Sequence, residues 1–138
     1  MNIHKVYLFF ISALMILPSC TKTPGEGGRA SITGSVEIIR RAQLNNPDSN
    51  VDTIPATDEE VFIIYGQNTS PDDRVFTNAD GEYSFNWLRT GDYTIYVYSE
   101  DTAAVANPLP RIAISTSVSI EDRKEIVEVE TITIYDEL

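Results

Sequence analysis

Two strands and two turns are encoded in residues 77–97, which read TNADGEYSFNWLRTGDYTIYV. Asp80-Gly81 is a hairpin signal because glycine accepts the positive φ that a tight turn requires. Gly91 lies in a second turn signal, and the same reasoning predicts a positive φ there. Apolar and polar residues alternate after each turn, which predicts two strands that each bury one face.

The same period of two continues on both sides of this stretch, and no segment after residue 29 has a helical period. The pattern predicts seven strands, at residues 30–38, 61–65, 74–77, 82–87, 93–99, 112–120 and 126–135. Residues 41–56 are polar and predict a long loop, and a shift of pattern near Thr131 predicts a bulge. Seven short strands at this spacing are typical of an all-β sandwich. The chain lacks the cysteine pair of disulfide-bonded immunoglobulin domains.

Residues 77–97 also resemble the repeat of carboxypeptidase regulatory-like domains, which belong with the prealbumin-like and collagen-adhesin B-type sandwiches. The matching positions are Thr77, Asp80, Gly81, Tyr83, Leu88, Gly91, Tyr93, Ile95 and Val97. Residues 32–36 match the usual opening strand, and residues 55–61 match the segment before the second strand. The resemblance implies a seven-stranded immunoglobulin-like (prealbumin-like) β-sandwich over residues 30–138. Such domains act mostly as spacers, stalks and binding or assembly modules.

The first nineteen residues have the features of an export signal peptide. Lys5 supplies a positive start, and the apolar run over 6–17 is shorter than the about 20 residues of a membrane span. Leu-Pro-Ser-Cys at 17–20 resembles the lipobox of bacterial lipoproteins, in which the signal is cut before a cysteine that carries acyl chains such as palmitate. The resemblance implies a lipidated Cys20 and a protein anchored in the Gram-negative outer membrane, facing either the periplasm or the cell surface. Glycine and proline predict a flexible tether up to residue 29.

Composition excludes several classes of function. Removal of the signal peptide leaves nine basic and twenty-one acidic residues, and this net charge of −12 disfavours nucleic acid as a partner. His4 is the chain's only histidine and Cys20 its only cysteine, so the mature domain has no triad, no thiol nucleophile and no histidine zinc site. Oxygen-bearing side chains around Gly81 suit Ca²⁺, but Asp-Gly is the ordinary hairpin turn here. We therefore predict no enzyme activity, no cofactor and no metal site.

Three aromatic residues are candidates for ligand binding. If Tyr93 faces the core, alternation places Tyr96 and Tyr98 on the opposite face, and Trp87 lies beside a turn. Outward aromatic rings stack on sugars or anchor protein partners. The alternatives are a sheet covered by loops and ordinary surface tyrosines. Exposed hydroxyls at Tyr96 and Tyr98 would titrate near the reference pKa of about 10.

Two threonines are candidate modification sites. Asp-Thr-Ile around Thr53 and Asp-Thr-Ala around Thr102 lie in predicted loops. Both tripeptides resemble the acceptor sequence of a bacterial O-glycosylation system that acts on exported proteins.

The sequence supports two hypotheses of function. The first is a non-enzymatic, lipid-anchored module that binds or scaffolds a partner in the cell envelope. The alternative is a small carbohydrate-binding accessory lipoprotein that uses its outward aromatic residues. An envelope protein and a glycan therefore both stay open as partners.

The lipobox generates a prediction about the anchor. Cys20→Ser removes the only thiol that an acyltransferase can modify, so we expect the protein to leave the membrane fraction. Cell fractionation with immunoblotting measures this, and Thr21→Ser serves as the control. A Cys20→Ser protein that is processed and still sediments with membranes would contradict lipid anchorage.

Overall fold

The computed structural model describes residues 23–41, 51–106 and 108–137, so the predicted signal peptide and Cys20 lie outside the described residues. Within those ranges the chain is all-β. No helix long and apolar enough to cross a membrane occurs in this part of the chain. The strands are β1 (Glu26–Arg41), β2 (Val51–Pro55), β3 (Glu60–Tyr65), β4 (Asp73–Phe76), β5 (Glu82–Leu88), β6 (Gly91–Glu100), β7 (Arg111–Ile120), β8 (Ile126–Glu128) and β9 (Ile132–Glu137).

The strands form two sheets that pack face to face as a sandwich. In the larger sheet, one edge of β1 pairs antiparallel with β5 and then with β2. The other edge of β1 pairs parallel with β8 and then with β9. The smaller sheet is antiparallel and has the order β4-β3-β6-β7. The all-β sandwich is confirmed, with nine strands among the described residues in place of the predicted seven.

The core is built from the alternating positions that the sequence predicts. On β6, Tyr93, Ile95 and Val97 are at most 1% exposed, as expected from their pattern. Burial of the Tyr93 ring removes about 150–250 Å² from water, which is strongly stabilising. The other buried apolar residues lie on both sheets and on the turns that join them: Ala30, Ile32, Val36, Ile38, Ala56, Val61, Ile63, Tyr83, Phe85, Leu88, Val118, Ile120, Val129, Ile132 and Ile134.

Two predictions about strands need correction. Strand β2 lies inside the predicted loop 41–56, and its residue Thr53 pairs with Ile39 of β1. The strand has only five residues and ends in proline, so its alternation is too short to be recognised as a strand in the sequence. The predicted strand 126–135 is divided into β8 and β9. Val129 and Ile132 are both buried although they are three positions apart, so strict alternation cannot continue from one to the other, and the strand is interrupted over residues 129–131. The pattern shift expected near Thr131 lies in this break.

The first strand begins earlier than predicted. Glu26 pairs with Leu88, so residues 26–29, which the sequence predicts as tether, belong to β1. A Cβ atom on Gly28 would lie 1.7 Å from the carbonyl oxygen of Leu88. The glycines therefore permit a close backbone approach, where the composition alone indicated flexibility.

The hydroxyl of Tyr93 makes hydrogen bonds that fix the chain just before β1. It accepts a hydrogen bond from the Gly25 amide at 2.9 Å and donates one to the Arg89 carbonyl at 2.7 Å. Burial raises the pKa of Tyr93, while the hydrogen bonds to Gly25 and Arg89 lower it. The neutral hydroxyl therefore ties residue 25 to the turn between β5 and β6.

The hairpin before β5 generates a stability prediction. Gly81 has φ 77°, and a Cβ atom there would lie 2.5 Å from the carbonyl oxygen of Val36. We expect Gly81→Val to destabilise the domain by roughly 1–3 kcal/mol through backbone strain and this clash. Chemical denaturation measures the change, and Ala79→Val, at an exposed position of the same turn, is the matched control. Equal midpoints for both variants would contradict the register drawn here.

Candidate functional site

Three aromatic rings form a cluster on the outer face of the smaller sheet. Phe62 on β3 is paired with Tyr96 on β6, and their rings stack with centroids 5.0 Å apart and planes 12° apart. Tyr98 meets both rings edge-on, at centroid distances of 5.8 Å from Phe62 and 5.6 Å from Tyr96. Phe62, Tyr96 and Tyr98 are named the aromatic cluster.

Members of the aromatic cluster differ in their contact with solvent. Tyr96 is 8% exposed because Phe62 covers it, whereas Tyr98 is 38% exposed. Burial, and secondarily the neighbouring Tyr98 hydroxyl, raise the pKa of Tyr96. The prediction that Tyr96 titrates at the reference value is therefore wrong, since a ring on the outer face is hidden by a cross-strand neighbour. Tyr98 is the member available to a ligand.

A charged pair lies beside Tyr98. The Arg111 guanidinium is 5.7 Å from the centre of the Tyr98 ring and 3.5 Å from the Glu59 carboxylate. Partial burial raises the pKa of Glu59; Arg111 opposes this shift, and the negative charges of Asp136 and Glu60 add to it. The arrangement places a half-buried carboxyl, a cation and an aromatic ring next to one another.

These groups line a cleft of about 300 Å³ at the end of the sandwich. The cleft opens between strands of both sheets, and Tyr98 belongs to both the cleft and the aromatic cluster. A ring beside fixed charged groups is the arrangement that orients a polar ligand with an apolar face. The residues that line this distal cleft are Ile38, Glu59, Tyr98, Glu100, Arg111, Ile134, Tyr135 and Asp136.

The distal cleft lies far from the point where the chain leads back to residue 20. Strand β6 begins at Gly91, where an added Cβ atom would lie 2.9 Å from Pro24. Tyr98 follows seven residues later, which is about 23 Å along a strand. The aromatic cluster and the distal cleft therefore lie at the end of the domain opposite Pro24, to which the predicted tether would connect.

Trp87 is not part of this site. It lies on β5 in the larger sheet, next to Leu88, which pairs with Glu26 at the tether end. Its side chain is 70% exposed and its φ is 61°, in the left-handed region that aromatic residues rarely adopt. The structure thus separates the predicted trio into two places: Tyr96 and Tyr98 at one end, Trp87 at the other.

The two threonine candidates have different settings. Thr53 is exposed but lies on β2, so its predicted loop position is wrong. Thr102 is partly buried in a turn, where the Asp101 side chain accepts a hydrogen bond from the Ala103 amide at 3.0 Å. Their modification stays a prediction.

A side-chain oxygen atom near Asp80 makes hydrogen bonds within the turn. The Asn78 side-chain oxygen accepts hydrogen bonds from the amides of Asp80 and Glu82, each at 2.9 Å. Among the residues described by the structure, no group of three or more His, Cys, Asp or Glu side chains is placed to hold a metal ion.

A larger cleft of about 900 Å³ lies beside β1 and β5, lined by residues such as Ser35, Ser84 and Glu130. Tyr83 is at its margin, with a buried hydroxyl that has no hydrogen-bond partner within the described chain. Burial raises the pKa of Tyr83 to about 12. This hydroxyl packs over Gly34, where an added Cβ atom would lie 2.5 Å away, so its position is explained by packing.

The alternation of residues 61–65 predicts Phe62 on the outer face, where the structure places it, although it was not among the predicted site residues. Sequence reasoning missed Glu59 and Arg111. No local signal links Glu59 to Arg111, because the two residues lie far apart in the sequence, with most strands of the smaller sheet between them along the chain. Their contact depends on β3 and β7 flanking β6 on opposite sides.

Comparisons with known proteins add little about function. No protein-family model matches the chain, and no curated protein matches it. One similar solved structure is that of a Pseudomonas aeruginosa protein provisionally described as carbohydrate binding, with 11% identity and a TM-score of 0.47. The match covers 81% of this chain and 91% of that one. Likeness at this level does not identify a shared function.

The backbone at Trp87 generates a prediction. A left-handed conformation costs a residue with a Cβ atom about 1–2 kcal/mol, and glycine avoids this cost while losing about 0.5–1 kcal/mol of chain entropy. Since the ring is mostly exposed, we expect Trp87→Gly to leave the free energy of unfolding unchanged or to raise it by up to about 1 kcal/mol. Urea denaturation measures this. Trp87→Ala keeps the strain, so it should be no more stable than the native protein. A clear loss of stability in Trp87→Gly would mean that the ring supports the fold.

Proposed function

We propose that this protein is a non-enzymatic, lipid-anchored module of the bacterial cell envelope that binds a partner through its aromatic cluster and distal cleft. The observation that carries the proposal is the position of Tyr98. This partly exposed ring joins the aromatic cluster to a cleft with charged walls, at the end of the domain away from the tether.

The chemistry of the site favours recognition over catalysis. The chain after Cys20 contains neither histidine nor cysteine, so acid–base work would fall to carboxyl groups. Glu59, the half-buried carboxyl of the cleft, is within 3.5 Å of Arg111. A carboxylate engaged with a guanidinium is suited to fixing a ligand's position.

A protein partner fits the composition of this surface. Tyrosine and arginine are enriched among residues that dominate binding energy at interfaces, and both meet at Tyr98 and Arg111. Phe76 extends the apolar area: it is 52% exposed, and its Cα partner on β3 is Glu60. The net charge of −12 after the signal peptide disfavours strongly acidic partners.

A glycan is the second candidate, and one observation favours it. The Tyr98 ring offers an apolar face, and the carboxylate of Glu59 and the guanidinium of Arg111 beside it offer hydrogen-bonding groups. Sugars present this combination, with apolar C–H faces and hydroxyl edges. The cleft of about 300 Å³ is at the lower end of ligand-site volumes, which suits a short glycan segment.

Tyr98→Ala tests both candidates with the same material. The lipidated protein is used for capture of envelope proteins and for binding to a glycan array, and the dissociation constant of the ligand found is then measured with purified components. We expect Tyr98→Ala to weaken binding at least tenfold, which corresponds to about 1.4 kcal/mol.

The control is Ser117→Ala, which changes an exposed residue of the same sheet near its tether end. A purified envelope protein that loses affinity only with Tyr98→Ala supports the first candidate, and a glycan with this behaviour supports the second. Binding that is equally strong in both variants, or absent from both assays, would overturn the proposed site.

A further inference from the structure

We propose that the tether end of the domain lies against the membrane, with Trp87 and Ile126 inserted at the boundary between lipid headgroups and acyl chains. The proposal rests on the lipid anchor at Cys20 that the proposed function includes. It goes beyond that function, because it assigns a lipid-contacting surface to the folded domain itself.

Trp87 is held outward by the backbone. Phe85 and Leu88 are buried, whereas Asn86 and Trp87 between them are both exposed, so the alternation of β5 is broken by one residue. The pairing of β1 with β5 changes register at the same place, between Ala30 and Ile32. A bulge of this kind re-aims a side chain. Here it presents a large apolar ring in a backbone conformation that costs free energy.

The tether is short and keeps this end of the domain close to the lipid anchor. Gly25 is five positions after Cys20, and a fully extended chain spans at most about 18 Å over that distance. The Gly25 carbonyl accepts a hydrogen bond from the Arg89 amide at 2.8 Å, two residues after Trp87. Trp87 is therefore among the residues nearest to an acylated Cys20.

Ile126 provides a second apolar contact on the same side. Ser31 on β1 is paired with Ile126, which is 72% exposed. The Ser31 hydroxyl also donates a hydrogen bond to the Asn86 side chain at 2.9 Å, on the other edge of β1. Trp87 and Ile126 thus lie on strands that flank β1, about 10 Å apart.

The charge at this end suits a membrane surface better than the rest of the chain does. Four exposed basic residues stand near the tether and in the turn before β8, whereas seven acidic residues occupy the same region. Asp72 and Asp73 belong to it because they lie near Tyr65, whose ring is 3.6 Å from a Cβ atom placed on Gly25. The remaining residues after position 19 carry five basic and fourteen acidic side chains, which an anionic surface repels more strongly. The eleven residues at the tether end are Arg29, Arg89, Arg123, Lys124, Glu26, Asp72, Asp73, Asp92, Glu121, Asp122 and Glu125.

Part of that acidic charge is turned toward the protein. The Glu125 carboxylate accepts hydrogen bonds from the amides of Glu121 at 2.8 Å and Asp122 at 3.1 Å. Tryptophan is the residue type most suited to the membrane interface, since its ring is apolar and its N–H bonds to polar headgroups. The tether end thus combines an exposed indole, an exposed isoleucine and a smaller acidic excess than the rest of the chain.

The experiment uses the fact that Trp87 is the chain's single tryptophan. The lipidated protein is reconstituted into vesicles of phosphatidylethanolamine and phosphatidylglycerol, and binding is verified by flotation. We expect the emission of Trp87 to shift to shorter wavelength relative to the unlipidated Cys20→Ser protein in buffer. We also expect quenching by brominated acyl chains and a severalfold loss of quenching by acrylamide.

The control moves the probe to the other end of the domain. Trp87→Phe combined with Phe76→Trp leaves one tryptophan, at an exposed position on the smaller sheet. In the same vesicles its emission should stay solvent-like, and brominated lipids should not quench it.

Three results would overturn the proposal. Floated protein whose Trp87 is quenched by acrylamide as freely as the Cys20→Ser protein would leave anchorage intact and reject the membrane contact. Protein that does not float would reject the anchor as well. Shielding of Trp87 that rises with protein concentration, without quenching by brominated lipid, would mean that a second copy of the chain covers this surface.

Discussion

The two-edged pairing of β1 is the constraint on which the larger sheet depends. Both edges of this sixteen-residue strand are occupied, by β5 and β2 on one side and by β8 and β9 on the other. Its core-facing apolar side chains are buried, at Ala30, Ile32, Val36 and Ile38. Because neighbouring residues point to opposite faces, a slip of one residue would expose all of them at once. The register of four strands is therefore tied to one hydrophobic pattern.

The length of β1 also gives the sandwich two unlike ends. At one end the Tyr93 hydroxyl bonds to Gly25 and Arg89, and glycine at position 28 lets two backbones meet. At the other end the strands enclose the distal cleft, where Glu59 and Arg111 are paired beside an aromatic ring. The two ends therefore differ in chemistry: one is marked by hydrogen bonds to a buried tyrosine and by close backbone packing, and the other by a charged pair beside an aromatic ring.

The same asymmetry gives separate roles to aromatic residues that look alike in the sequence. Tyr96 stacks with Phe62 and is the most buried member of the aromatic cluster, whereas Tyr98 is partly exposed to solvent. Trp87 belongs to a bulge in the other sheet, close to the tether. Charge follows the same division in part, since most of the acidic excess after position 19 lies away from the tether end. The proposed attachment and recognition surfaces therefore lie at different places on one small domain.

The sequence by itself determined the features that depend on neighbours along the chain. Turn glycines such as Gly81 and the inward positions of β6 follow from φ preferences and from strict alternation, and both are observed. Only the tertiary structure decided which outer residues are hidden and which are grouped. Phe62 covers Tyr96 because β3 pairs with β6 in one register, and Glu59 meets Arg111 across that sheet. Contacts of this kind join residues far apart in the chain, so local periodicity holds no information about them.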